Sequence, residues 1–109
     1  MYTQITLHIV AKENYDKAMD LLKVNTQLAK KAKGFVSREV FFDINDSLKG
    51  YSITSWKTKK DLEVFRDSPE RPPLSIEGTD RSVYLLTKKA KVLLFTRTDS
   101  AVFKIVDKS

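Results

Sequence analysis

The order of extended and helical patterns along the chain predicts a single α+β domain built on one antiparallel sheet. Residues 4–10 alternate between apolar and polar side chains, as a half-buried strand does. From Asn14 onward, apolar side chains recur every three or four positions, which is typical of an amphipathic helix. Residues 35–42 and 50–56 alternate again on either side of a short polar turn, which predicts a β-hairpin.

The first strand and the first helix have recognisable faces and ends. Asn14 is expected to cap the helix at its start, and Gly34 lies where a helix-ending glycine is expected. One face of the strand is apolar and carries Ile5, Leu7 and Ile9. The other face is polar and carries Thr6 and His8.

The elements after the hairpin are shorter. Thr58 and Asp61 have the spacing of a capping box, and they predict a helix whose apolar side carries Leu62 and Phe65. The proline-rich segment 68–73 cannot continue that helix.

The last third of the chain is predicted as a short helix followed by two strands. The spacing of apolar side chains in residues 80–90 predicts a short helix. Residues 92–97 are predicted to form a fourth strand. After a polar turn at residues 98–100, residues 101–106 are expected to form an extra C-terminal strand.

The resulting order, β-α-β-β-α-(α)-β with an extra C-terminal strand, is the ferredoxin-like βαββαβ pattern, an antiparallel sheet with its helices on one face. The alternating strands leave apolar side chains on the other face as well. Because an uncovered apolar face of that kind needs a partner, we expect a homodimer. With 109 residues the chain has room for one hydrophobic core, so residues 1–109 are expected to form one domain.

The net charge of +6 raises the question of an anionic partner. Three lysine clusters carry much of the excess, and they fit both solvated helix ends and recruitment of an anion. Residues 33–36, KGFV, echo a signature strand of RNA-recognition motifs, but there the signature lies on the third strand and here it opens the second. The first strand also lacks an aromatic residue for base stacking, so no nucleic-acid partner is predicted.

The absence of cysteine and the single histidine exclude several kinds of chemistry. No disulfide or thiolate nucleophile can form. His8 has no second histidine to complete a metal site and no nucleophile elbow to complete a serine triad, so we expect no metal. No apolar run approaches the ~20 residues of a membrane-spanning helix, and residues 1–10 lack the features of a signal peptide. We therefore expect no membrane partner and a cytoplasmic location.

Three short motifs occur in the order and spacing of a known family. The run Lys33-Gly34-Phe35-Val36-Ser37 enters the second strand, Trp56-Lys57-Thr58 leads from the third strand into a helix, and Arg66-Asp67-Ser68-Pro69 ends that helix. In these features the chain resembles the antibiotic biosynthesis monooxygenase family of dimeric α/β barrels. The match covers residues 4 to about 70 and only the predicted topology beyond them.

The resemblance implies a homodimer that oxidises a small aromatic or quinol-like substrate with dioxygen, without a cofactor, in a cleft between sheet and helices. A substrate carbanion or phenolate then supplies the electrons, while the protein assists deprotonation and stabilises the oxyanion. A histidine that often follows the tryptophan in this family is missing from residues 61–68. A non-catalytic small-ligand-binding or stress-associated module on the same fold therefore stays open. The haem-degrading branch has asparagine, tryptophan and histidine where this chain has Thr6, Phe65 and Ser75, so haem degradation is not expected.

Seven residues are candidates for the site. Trp56 is expected to form a wall of the cleft or to pack as a core aromatic, and His8 to act as a catalytic base or as a structural histidine. Arg38, in the middle of a strand, predicts either a bound substrate oxyanion or an ion pair across strands or subunits. Segment 68–73 is expected to be either a lid over the cleft opening, with Arg66 and Arg71 at its edge, or a simple connection. The other expected substrate-binding residues are Thr6, Tyr51, Phe65 and Arg66.

Overall fold

The computed structural model describes residues 1–109 as one six-stranded antiparallel sheet with two α-helices. The strand order across the sheet is β2-β3-β1-β6-β5-β4. No helix has the length and apolar character needed to cross a bilayer. The elements are β1 (Tyr2–Val10), a 3₁₀ turn (Lys12–Asn14), α1 (Tyr15–Lys31), β2 (Phe35–Asp43), β3 (Asp46–Trp56), α2 (Lys59–Arg66), β4 (Leu74–Glu77), β5 (Ser82–Leu86) and β6 (Lys91–Lys104).

The helices end where the capping signals predict, but Asn14 does not cap α1 with its side chain. Thr58 caps α2, because its hydroxyl accepts a hydrogen bond from the backbone N–H of Asp61 at 3.0 Å. Asn14 occupies the N-cap position of α1, but its side chain donates to the carbonyl oxygen of Leu93 at 2.7 Å instead of capping the helix. Gly34 follows α1 with a φ of +80°, a conformation that strongly favours glycine.

The predicted helix over residues 80–90 is wrong. Residues 74–86 form the β4–β5 hairpin, in which Ile76 pairs with Val83, and β5 pairs in turn with β6. A short apolar run fits helix and strand alike, and here the free edge of β6 determines the outcome by offering backbone hydrogen bonds. Gly78, with a φ of +77°, permits the hairpin turn.

The two predicted C-terminal strands are a single strand of 14 residues. The polar residues Thr98 and Ser100, predicted to turn the chain, instead pair with His8 and Thr6 of β1. Their polarity reflects the polar centre of the covered sheet face and not a turn. The extra strand is therefore the continuation of β6.

The two faces of the sheet differ in what covers them. Helix α1 packs on one face over a core of Val10, Ala18, Leu21, Leu22, Val83, Leu94 and Phe95. The opposite face has no helix over it, and its Phe41 and Phe103 are 47% and 50% exposed. The β1–β3 register places Ile5 beside Ile53 and Leu7 beside Tyr51 on that uncovered face. Because side chains alternate along a strand, Thr6 and His8 lie on the covered face.

Candidate functional site

A cavity of about 220 Å³ lies between the covered face of the sheet, both helices and the β4–β5 hairpin. Its lining combines eight hydrophobic residues with hydroxyl, amide, imidazole and guanidinium groups. Pockets for drug-sized ligands typically have volumes of about 300–1,000 Å³. This cavity is smaller, so it suits a molecule of one or two rings. The lining residues are Gln4, Thr6, His8, Leu21, Leu22, Asn25, Arg38, Ser52, Thr54, Trp56, Phe65, Arg66, Arg71, Leu74, Ile76, Arg81, Val83, Phe95, Thr98 and Ser100.

His8 is the buried polar group at the centre of the sheet. Its Nε2 lies 2.9 Å from the hydroxyl oxygen of Ser52, and its ring lies 4.9 Å from the ring of Phe95. Its Nδ1 is buried and has no hydrogen-bond partner. With the proton on Nε2, the imidazole donates to Ser52 and leaves Nδ1 able to accept a proton.

Burial lowers the pKa of His8 from 6.5 to about 4, and the positive charge of Arg38 acts in the same direction. The imidazole is therefore neutral at neutral pH. Neutrality allows it to accept a proton, but the low pKa makes it a weak base while the cavity holds no negative charge.

The polar floor continues along β1 and β6. Ser100 receives a hydrogen bond from Nε2 of Gln4 at 2.8 Å, and its hydroxyl lies 3.0 Å from that of Thr6. These hydroxyl and amide groups lie on the same sheet face as His8 because their strands are antiparallel and in register. The floor can therefore donate hydrogen bonds to a polar substituent on a ligand.

Trp56 belongs both to the packing core and to the cavity wall. It is 1% exposed and packs with Ala29 and Leu62. The ring of Phe65 lies 5.0 Å from its indole, and the ring of Phe35 lies 6.0 Å away at an edge-on angle. The two interpretations of Trp56 from the sequence are thus compatible, since one side chain packs against the core and lines the cavity.

Arg38 is held by hydroxyl groups and not by a carboxylate. Its Nε donates to Oγ1 of Thr26 at 2.8 Å, and its Nη1 donates to Oγ1 of Thr54 at 2.7 Å. Burial lowers its pKa to about 10, and the charge of Arg71 adds to this effect. The side chain stays cationic at neutral pH, and the ion pair considered from the sequence does not form within the chain.

Arg71 reaches the cavity from the segment between α2 and β4. Its guanidinium lies 5.2 Å from the centre of the Phe65 ring, and its Nη1 donates to the carbonyl oxygen of Arg66 at 3.3 Å. Its Nε is buried without a partner. Burial lowers its pKa, and the charge of Asp67 partly offsets that effect.

Arg81 lies in the β4–β5 turn at the other end of the cavity. Its φ of +52° is unusual for a residue that is not glycine. The hydroxyl of Thr98 donates to its carbonyl oxygen at 2.8 Å, and the backbone N–H of Thr98 donates to the carbonyl oxygen of Asp80. These two bonds hold the turn against β6 and keep Arg81 at the cavity.

The structure brings six of the seven predicted site residues to this cavity. Tyr51 is the exception, and its placement in the cleft is wrong. It pairs with Leu7 and stacks on Phe41 at 6.0 Å on the uncovered face of the sheet. The residues that line the cavity as predicted are Thr6, His8, Arg38, Trp56, Phe65 and Arg66.

Several lining residues were missed. Ser52 and Thr54 lie four and two positions before Trp56, so strand alternation alone places them on the same face. Asn25 lies on the buried side of α1, and its Oδ1 has no hydrogen-bond partner. Arg71 was expected only at the edge of a lid over the cleft opening, and the structure places it in the cavity lining.

Solved structures share this fold at very low sequence identity, whereas no family model and no curated protein matches the chain. SnoaB from Streptomyces nogalater, described as a cofactor-independent oxygenase, has a TM-score of 0.71 at 11% identity, covering 98% of this chain and 94% of that one. A Nitrosomonas europaea protein provisionally assigned as an antibiotic biosynthesis monooxygenase has a TM-score of 0.69 at 9% identity, covering 98% and 100%. The chain has the antibiotic biosynthesis monooxygenase fold.

Rv0793 from Mycobacterium tuberculosis shares the same fold. It has a TM-score of 0.71 at 12% identity over 99% of this chain and 97% of the other. The resemblance seen in residues 4 to about 70 therefore extends, as a fold, over nearly the whole chain. Identities of this size show the fold alone, and the activity has to be argued from the cavity.

Proposed function

We propose that the protein is a monooxygenase that oxidises a small aromatic or quinol-like molecule with dioxygen, without a cofactor, in this cavity. The observation that carries the proposal is a single cavity between the sheet and the helices, lined by Trp56 and Phe65 towards one end and by the His8–Ser52 pair towards the other. An oxidation of this kind needs a flat ring held near a proton acceptor and near donors for an oxyanion. A structure of the same fold described as a cofactor-independent oxygenase supports the assignment.

The reaction balances without an added reductant. For a ring methylene next to an aromatic carbonyl system, two C–H bonds break and one C=O bond forms. One oxygen atom of O₂ enters the product, and the other leaves as water with the two hydrogens. All four electrons come from the substrate carbon, so the protein has only to promote deprotonation and to stabilise the anion.

Each predicted site residue that lines the cavity has a role in this scheme. His8 is the proton acceptor, and the cationic guanidinium of Arg38 stabilises the resulting oxyanion. Phe65 contacts the substrate ring, and the buried indole of Trp56 packs behind Phe65 and holds it in place. Thr6 supplies a hydroxyl at the floor, and Arg66 lies at the edge of the cavity. Formation of an anion next to His8 favours the protonated imidazole and raises its basicity when it is needed.

A homodimer belongs to this proposal. The uncovered face carries Ile5, Leu7, Tyr51 and Ile53 in two adjacent strands, and exposed Phe41 lies beside Tyr51. A second copy placed on this face would bury that surface and close the two sheets into a barrel. Tyr51 then acts in assembly and not in substrate binding.

One observation favours the alternative of a non-catalytic ligand-binding module. The low pKa of His8 leaves the free protein without a strong base at the cavity. A module of this kind would bind the same flat ring between Trp56 and the polar floor and release it unchanged. The two functions differ in whether dioxygen is consumed.

Isotopically labelled dioxygen tests the oxygenase directly. The chelator-treated protein is mixed with a naphthol, and the product is analysed by mass spectrometry. We expect one labelled oxygen atom per product molecule, at a rate above that of the protein-free control. Product whose new oxygen comes from water, or no product above the control, would contradict the proposal.

A further inference from the structure

We propose that the cavity selects aromatic ligands that carry a carboxylate, and that Arg38 and Arg71 bind this group. The proposal names a substrate class for the site above and therefore rests on the proposed function. The feature that points to it is a concentration of positive charge in a small cavity that no acidic side chain lines.

The charge composition of the cavity is one-sided. Four arginines line it, and no aspartate or glutamate does. The two salt bridges of the protein are elsewhere or at the rim, between Lys91 and Glu77 and between Arg66 and Asp67. The Asp67 partner is 74% exposed, so it faces solvent more than the cavity. An anionic ligand is the missing counter-charge.

Arg38 and Arg71 are the two arginines whose guanidinium groups lose part of their contact with water through burial. Both are partly buried and neither forms a salt bridge, although the charge of Asp67 acts on Arg71 from a longer distance. Taking like charges out of water costs free energy unless a counter-ion is present. A carboxylate between them would restore the lost interactions, and guanidinium groups bind carboxylates through two parallel hydrogen bonds.

One unused donor at the cavity supports the same inference. The buried Nε of Arg71 has no acceptor, whereas the buried Oδ1 of Asn25 lacks a donor, which a carboxylate would not supply. Buried polar atoms without partners are uncommon in folded proteins and call for an explanation. A ligand with oxygen acceptors would satisfy the Arg71 donor.

The aromatic side chains next to Arg71 indicate that the carboxylate is attached to an aromatic ring. Arg71 lies over the Phe65 ring, and Phe65 packs against Trp56. A carboxylate bound at Arg71 therefore lies at the edge of the aromatic wall, with space beside it for a flat ring. The volume of about 220 Å³ limits that ring system to one or two rings.

Calorimetric titration under nitrogen tests the charge preference without turnover. The probes are naphthoate and naphthamide with the same attachment point, which match in shape and differ in charge, and naphthyl phosphate as a second anion. We expect naphthoate to bind at least tenfold more tightly than naphthamide at low salt. Tighter binding of naphthyl phosphate than of naphthoate would overturn the carboxylate assignment.

Substitution of the two arginines assigns the preference to them. Arg38→Gln and Arg71→Gln should each reduce the naphthoate preference about tenfold, with folding checked by circular dichroism. Lys33→Gln removes the same charge outside the cavity and should leave the preference unchanged. Equal affinity for the two probes, no binding of naphthoate, or a preference that survives both arginine substitutions would overturn the proposal.

The outcomes separate this inference from the oxygenase itself. If the protein prefers naphthoate but consumes no dioxygen, the proposed anion site is supported and the proposed oxygenase activity is contradicted. If the protein consumes dioxygen but binds naphthoate and naphthamide equally, the oxygenase activity is supported and the anion site is contradicted.

Discussion

At the scale of single residues, His8 links the cavity to the stability of the fold. The unfolded chain takes up its imidazole proton near pH 6.5, whereas the folded protein takes it up only at about pH 4. Between these values the unfolded state binds more protons, so the free energy of unfolding falls as the pH falls. The stabilisation is complete above about pH 6.5 and is lost progressively down to about pH 4.

We predict that His8 accounts for about 3 kcal/mol of the stability lost between pH 7 and pH 4. Urea denaturation of the wild type and of His8→Gln at both pH values isolates this share, because the carboxylates titrate alike in both proteins. The variant should lose less stability than the wild type by that amount. Equal losses in the two proteins would show that His8 is not desolvated as described.

Which residues share the site was predictable where strand alternation decides it. Thr6, His8 and Trp56 follow from period-two alternation in β1 and β3, and Arg38 follows from β2. Tyr51 was misplaced because an aromatic side chain suggests a cleft, although its odd position relative to Trp56 puts it on the opposite face. Alternation was the stronger signal.

At the scale of elements, the junction between α1 and β2 depends on Gly34. Its φ of +80° is costly for other residues, and a Cβ at this position would collide with the side chain of Asp61 at the start of α2. This glycine therefore sets both the turn and the approach of α2 to the sheet end that carries Trp56.

Gly78 provides a matched comparison for Gly34. Its φ of +77° is nearly the same, but a Cβ there would meet no atom within 4 Å. We predict that Gly78→Ala lowers the free energy of unfolding by about 1–2 kcal/mol, the cost of the left-handed conformation alone. Gly34→Ala should cost clearly more in urea denaturation because the collision is added. Equal losses would mean that Asp61 moves aside freely.

The hairpin of β4 and β5 shows where sequence reasoning about elements failed. Val83, Tyr84 and Leu86 fit a helix as well as a strand, and only the unpaired edge of β6 distinguishes the two. That edge was hidden because β6 was predicted as two shorter strands separated by Thr98-Asp99-Ser100. Arg81 lies in the turn of this hairpin, so its place at the cavity was missed with it.

At the scale of the whole molecule, the predicted βαββαβ order and the placement of helices on one face are confirmed. The strands of the hairpin extend that order to six strands. The overall topology was predictable because the first 66 residues carry strong period changes and a capping box. The uncovered face follows from the same alternation.

We predict that the protein is a dimer in solution through this face. Light scattering after size-exclusion chromatography should give twice the chain mass of 12.5 kDa. Ile53→Glu places a charge in the apolar face and should give a monomer, whereas Val64→Glu on the exposed side of α2 should leave the dimer intact. A wild-type monomer at all concentrations would contradict the barrel assembly.

The measurement that tests the central claim most directly is oxygen uptake by the purified, metal-free protein against hydroquinones and naphthols, each with and without a ring carboxylate. We predict substrate-dependent uptake that falls about a hundredfold in His8→Ala, as expected for loss of a positioned base. Uptake should also fall in Trp56→Phe and stay unchanged in Tyr15→Phe, which alters an exposed ring outside the cavity. No uptake with any of these substrates, or uptake that does not depend on His8 and Trp56, would contradict an oxygenase acting in this cavity.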